Sequence, residues 1–131
     1  MAFLKRGMWI KIRQYSIRGA ITIEENTIEN IRINTIDMLK QILKENGISV
    51  DDCVNLIFTA TKDITRAYPA KFAREIGFVN CSLMCVQEMY VENSLEMCIR
   101  VMMTINKEEN DFKVNHVYLK EAQRLRPDLI K

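Results

Sequence analysis

The segment Cys98-Ile99-Arg100-Val101-Met102-Met103-Thr104-Ile105 constrains this chain more than any other. A strand turns successive side chains to opposite faces, so a run apolar at odd and even positions alike must be covered on both. Such a strand calls for a sheet, helices over one face and a second cover over the other. Arg100 interrupts the run. Arginine is rarely inside without a partner, because burying its charge unpaired is very costly. On the residues alone, Arg100 is either half of a structural ion pair or an anion site at a pocket or subunit boundary, and the two readings stand level.

The surrounding pattern supplies the sheet and the helices. Trp9 to Ile23 is rich in Ile, Tyr and Thr and reads as extended. Ile28, Ile31, Thr35, Leu39, Ile42 and Leu43 recur at helical spacing and predict a helix over Thr27 to Glu45. Asn26 or Thr27 suits its cap and Gly47 its stop. Ser49 opens a turn over Val50 to Cys53, and Val54 to Ala60 is a strand. Pro69 to Ile76 is a short helix, with proline at its first position and Gly77 at its end. Ser82 to Val91, Cys98 to Ile105 and Lys113 to Leu119 read as further strands. Asn106 to Asp111 reads as a polar turn, and Pro127 as the end of regular structure. The chain of 131 residues suits one domain. The expected class is α+β, a mixed β-sheet covered on one face by one long and one short helix, with an oligomer contact on the other.

Composition excludes several functions. The net charge of +2 and the lack of a Lys/Arg stripe argue against nucleic acid. No stretch approaches the roughly 18 apolar residues of a membrane span. Lys11 and Arg13 interrupt the apolar run that a signal peptide would need, so a cytoplasmic protein is expected. Cys53, Cys81, Cys85 and Cys98 are then expected as reduced thiols. Neither their spacing nor the single histidine suits a metal site.

Glu88 lies in the strand-like Met84-Cys85-Val86-Gln87-Glu88-Met89-Tyr90. It reads as the cross-sheet partner of Arg100, as a carboxylate accepting from a substrate hydroxyl, or as both. Arg18 precedes Gly19-Ala20, two small residues that would let a ligand approach the backbone. Its default reading is a solvated arginine. Lys71 and Arg74 read as the wet face of the short helix, Tyr118 as core or rim, and His116 as structural. Cys85 reads as a small apolar filler, since no histidine stands by to activate it. No Ser-His-Asp set, metal cluster or phosphate loop is present. Arginines, one carboxylate and a tyrosine remain, which suit an anionic small molecule.

Six short motifs occur in order: Ile17-Arg18-Gly19-Ala20; Tyr68-Pro69-Ala70-Lys71 with Arg74; Cys85-Val86-Gln87-Glu88-Met89; Cys98-Ile99-Arg100-Val101-Met102-Met103; His116-Val117-Tyr118-Leu119; and Leu125-Arg126-Pro127-Asp128-Leu129. Together they resemble the AroH class of chorismate mutase from about Ile17 to Leu129. The resemblance implies a pseudo-α/β-barrel homotrimer with active sites between neighbouring subunits, a cofactor-free Claisen rearrangement of chorismate to prephenate, and no metal. It implies that Arg100 faces the substrate's ether oxygen, Glu88 accepts from the ring hydroxyl, and Arg18 and Tyr118 hold carboxylates. Cys85 would contact the hydroxyl region, while Tyr68, Ala70, Lys71, Arg74 and Leu125 line the cleft. Tyr68 replaces the family's usual phenylalanine, the tail is shorter than is common, and residues 1–10 are expected as an extension. Cys85 and Glu88 are three apart, so a bulge or strand end is expected if both line one cleft. A non-catalytic trimer that binds an anionic metabolite, or an enamine or imine hydrolase on a similar scaffold, are the competing readings.

Overall fold

The computed structural model describes residues 2–5, 7–108 and 111–129. The helix expected from periodicity is α1 (Ile28–Asn46). The Thr27 hydroxyl accepts from the Asn30 N–H at 3.1 Å, which caps its start. At the other end Gly47 takes φ +58. The N–H groups of Gly47 and Ile48 return to the carbonyls of Lys44 and Leu43, a closure that favours glycine. Ile31, Thr35, Met38, Leu39 and Ile42 are buried, whereas Ile28 is exposed and does not belong to the stripe.

α1 lies on a five-stranded sheet. In chain order its strands are β3 (Arg13–Thr22), β4 (Cys53–Ala60), β5 (Ser82–Gln87), β6 (Cys98–Lys107) and β7 (Val117–Leu119). Before them, β1 (Ala2–Lys5) and β2 (Met8–Lys11) form a separate antiparallel hairpin, so the extended run is broken at Ile12. The sheet order is β5-β4-β6-β3-β7. β6 is antiparallel to both β3 and β4, while the outer pairs β4–β5 and β3–β7 are parallel. The sheet is therefore mixed. α2 (Pro69–Glu75) covers β4 and β5 beside α1, and Arg32 Nε donates to Glu75 at 3.0 Å to join the two helices.

The helices cover one face only. Ile17, Ile21, Leu56, Phe58, Ile99, Val101, Met103 and Ile105 point into the core beneath them. Gly19 belongs to this side: a Cβ there would stand 2.6 Å from Ile42 and 3.2 Å from Val101. Its smallness lets α1 approach the sheet. It serves that packing and not the approach of a ligand to the backbone that the Arg18-Gly19-Ala20 motif suggests, and Ala20 on the other side is fully buried.

Several boundaries move. β5 stops at Gln87 rather than Val91, because its partner β4 ends at Ala60 and offers no further ladder. Lys113 to His116 is not strand: Asn115 instead exchanges hydrogen bonds with Asn46 and Glu45 at the end of α1. Lys120–Leu125 forms a 3₁₀ turn, and Pro127 opens another over Pro127–Leu129 instead of ending regular structure. The expected turn at Asn106 to Asp111 is occupied at its start by β6, and residues 109–110 lie outside those described. Among the described residues, no helix is long and apolar enough to cross a membrane.

Candidate active site

The face turned away from the helices is built from strand register. Val86, Thr59, Arg100, Ala20 and Tyr118 are lateral neighbours across β5, β4, β6, β3 and β7. Directly opposed residues share a face, so they form one row. The next row holds Met84, Ile57, Met102 and Arg18. Met84, Ile57, Met102 and Val86 are each 40–58% exposed. The second apolar face inferred from the sequence is therefore real, and the described residues leave these four substantially exposed.

Arg100 projects from this face at the middle of the sheet. Its Nη1 lies 3.7 Å from Glu88 Oε2, with side-chain exposures of 39% and 24%. The ion-pair reading holds in the form of a long, partly solvated pair. At 3.7 Å the pair is too long for a hydrogen bond, so the guanidinium donors stay available to another acceptor. Glu88 sits just past the end of β5, and its N–H donates to the Ala60 carbonyl at 2.9 Å. Cys85 faces the helices opposite Phe58 while Glu88 reaches the other face, as strict alternation at a spacing of three requires, so within one chain the two do not line one cleft and no bulge is needed to bring them together.

Tyr118 is buried with Ala20, Cys98 and Ala122, and Leu125 packs against this cluster. Arg18 occupies the same face one row away from Arg100. Its N–H donates to His116 Nδ1 at 2.9 Å, which requires that nitrogen to be unprotonated. Burial, together with the charges of Arg18 and Arg126, holds the His116 pKa below its ordinary value. The structural role read for His116 is what the structure shows. Arg126 pairs locally within the tail, donating to Asp128 at 3.0 and 2.8 Å.

The remaining candidates gather on the opposite, helix-covered side. Tyr68 precedes α2, which carries Ala70, Lys71 and Arg74. A cavity of about 630 Å³ there is lined by Lys62, Arg66, Tyr68, Lys71 and Cys85 among others. Ala70 is buried, and Arg74 and Tyr68 are exposed. Burial pushes the Cys85 thiol up, against the opposing pulls of the Ala70 backbone and the Arg74 charge. It is a poor nucleophile, as its sequence context indicated. Among the described residues, no carboxylate lies within ion-pair distance of Arg18, Lys71 or Arg74. No group of three His, Cys, Asp or Glu side chains among them is placed to hold a metal.

One chain thus brings Arg18, Glu88, Arg100, Tyr118 and Leu125 to one side of the sheet and Tyr68, Ala70, Lys71, Arg74 and Cys85 to the other. Sequence reasoning missed Thr59, whose hydroxyl donates to Glu88 Oε1 at 2.5 Å. The two are 29 residues apart and no local signal joins them. Only the β4–β6 register, which sets Thr59 opposite Arg100, reveals it.

Unspent arginine donors on a sheet face that the chain covers only in part, beside a fixed carboxylate, mark an α+β protein suited to a small anion. Comparison with known proteins narrows this. Residues 14–129 match the family model for chorismate mutase type I, and the chain belongs to that family. It is 46% identical over 114 residues to chorismate mutase AroH of Thermus thermophilus, covering 86% of this chain and 93% of that protein. It is 41% identical over 114 residues to chorismate mutase AroH of Bacillus subtilis, with 86% and 90% covered. A solved chorismate mutase from Clostridium thermocellum superimposes with a TM-score of 0.80 at 43% identity, covering 84% of this chain and 98% of that one. The family makes this chain an isomerase and supports catalysis over mere binding of a metabolite.

Proposed function

We propose that this chain rearranges chorismate to prephenate in clefts formed between neighbouring copies of a cytoplasmic homotrimer. Residues 1–131 act as one catalytic domain, of which residues 1–10 are an extension. The observation that carries the reading is the division of the site. The residues matching the family's motifs fall into two groups on opposite faces of one sheet, so a second copy is needed to bring complementary halves together. The exposed row of Met84, Ile57 and Met102 supports such a contact, since clustered apolar side chains on a monomer mark an interface. All four cysteines are free, which suits a reducing compartment.

The reaction is intramolecular. One ether carbon–oxygen bond breaks while a carbon–carbon bond forms, and no proton changes hands. The protein's part is to hold the compact conformer and to meet the charge that develops on the ether oxygen. Arg100 supplies donors there, and its planar fork suits two simultaneous bonds better than a lysine would. Glu88 accepts from the ring hydroxyl. Arg18 and Tyr118 bind substrate carboxylates on the same face. From the neighbouring copy, Tyr68, Ala70, Lys71 and Arg74 close the cleft, with Cys85 near the hydroxyl and Leu125 on the wall beside Tyr118.

The test is to follow the loss of chorismate absorbance and identify the product. Prephenate formed at enzymatic rates is the expected result. Binding of chorismate without conversion would overturn the reading in favour of a metabolite-binding protein.

A further inference from the structure

Thr59 stands last among the outward residues of β4, with Val86 on one side and Arg100 on the other. Its hydroxyl donates to Glu88 Oε1, a hydrogen bond to a carboxylate. The backbone of Glu88 is held independently, by its N–H on the Ala60 carbonyl. Beyond that anchor a glutamate retains several rotatable bonds, and Arg100 is its nearest charge. Left to itself, the carboxylate would swing onto the guanidinium and form two parallel N–H···O bonds, the preferred geometry of such a pair. That arrangement would consume the donors that the reaction needs. In the structure the carboxylate stops 3.7 Å short of Arg100 Nη1, and the Thr59 hydroxyl is the group that holds it there.

We propose that Thr59 is a positioning residue for the rearrangement: it tethers Glu88 so that one carboxylate oxygen remains open to the substrate hydroxyl and Arg100 remains open to the ether oxygen. This inference rests on the reading above, in which Glu88 and Arg100 face chorismate. It predicts a loss in kcat rather than in KM, because a collapsed Glu88–Arg100 pair removes stabilisation made in the transition state.

The experiment compares wild type, Thr59→Val and Thr59→Ser, each alone and with Glu88→Gln, by chorismate turnover and circular dichroism. Thr59→Val should lower kcat by about 10-fold to 100-fold, the range for a lost hydrogen bond to a charged group. KM should change by less than about 3-fold, since uniform binding is retained. Thr59→Ser keeps the hydroxyl and should restore kcat. In the Glu88→Gln background, Thr59→Val should cost little, because the two act as a unit. The inference is overturned if Thr59→Val retains kcat, if serine is as damaging as valine, or if the valine effect is undiminished in the Glu88→Gln background. Should valine disturb folding, Thr59→Ala against Thr59→Ser carries the same contrast. Wild-type turnover is read in the same assay: its absence sinks the functional reading itself, whereas turnover that Thr59→Val leaves intact sinks only the role of Thr59.

Discussion

Replacing Arg100 with alanine separates activity from stability, and both magnitudes follow from where the side chain stands. Its side chain is 39% exposed, with Nη1 3.7 Å from Glu88 Oε2. An ion pair so open to solvent contributes about 0–1 kcal/mol to folding. Removing Arg100 does not strand Glu88, which keeps the Thr59 hydroxyl and some contact with water. The melting temperature should therefore fall by at most about 5 °C, the shift that ~1 kcal/mol produces in a domain of this size. Activity is another matter. Loss of one donor aimed at developing negative charge costs about 2.7–4 kcal/mol, or about 10²–10³ in kcat. That is a large part of the about 8 kcal/mol that an enzyme of modest acceleration must supply. Arg100→Lys keeps the charge but not the fork, so it should recover only part of the loss. Chorismate absorbance at saturating substrate gives kcat, and circular dichroism gives the melting curve. A folded Arg100→Ala variant that keeps more than about a tenth of wild-type kcat, a loss below ~1.4 kcal/mol, would refute the electrostatic role.

Two further outcomes test the scaffold. Gly19→Ala should destabilise the chain by about 1–3 kcal/mol, because the added methyl meets Ile42 and Val101 inside a filled core; chemical denaturation measures it. His116 has a native pKa held below its ordinary value of 6.5, so the folded state favours the neutral ring. Its contribution to stability is present above pH 6.5 and is lost as pH falls through the lower native value. Melting temperatures between pH 8 and about 5 should show that decline, and His116→Asn should flatten it.

The parts of the fold legible in the sequence were those fixed by local chemistry. Thr27 and Gly47 bound α1 with groups one turn away from the helix they end, so periodicity and caps agreed. The two-sided apolar run of β6 announced a central strand with both faces engaged. Where long-range partners decide, the sequence misled. Met89, Tyr90 and Val91 have strand-like side chains but are each more than half exposed, because β4 has already ended beside them. Lys113 to His116 lost its strand to a competing partner, the Asn46 side chain at the end of α1. At the site, the pairing of Arg100 with Glu88 could be anticipated from two charges in apolar strands. The Thr59 tether could not, since it depends on a register that no local pattern encodes.

The central claim is that each site takes one half from each of two neighbouring chains. The most direct test mixes two variants, Arg100→Ala and Arg74→Ala, each weakly active alone, by unfolding and refolding them together. In a closed ring of randomly assorted copies, about one quarter of the sites should receive an intact half from each neighbour, and activity should recover to about that fraction of wild type. Recovery to that level supports the shared site. Activity no higher than the average of the two variants, in a mixture shown to contain hybrid oligomers, would contradict it and place every catalytic residue within a single chain.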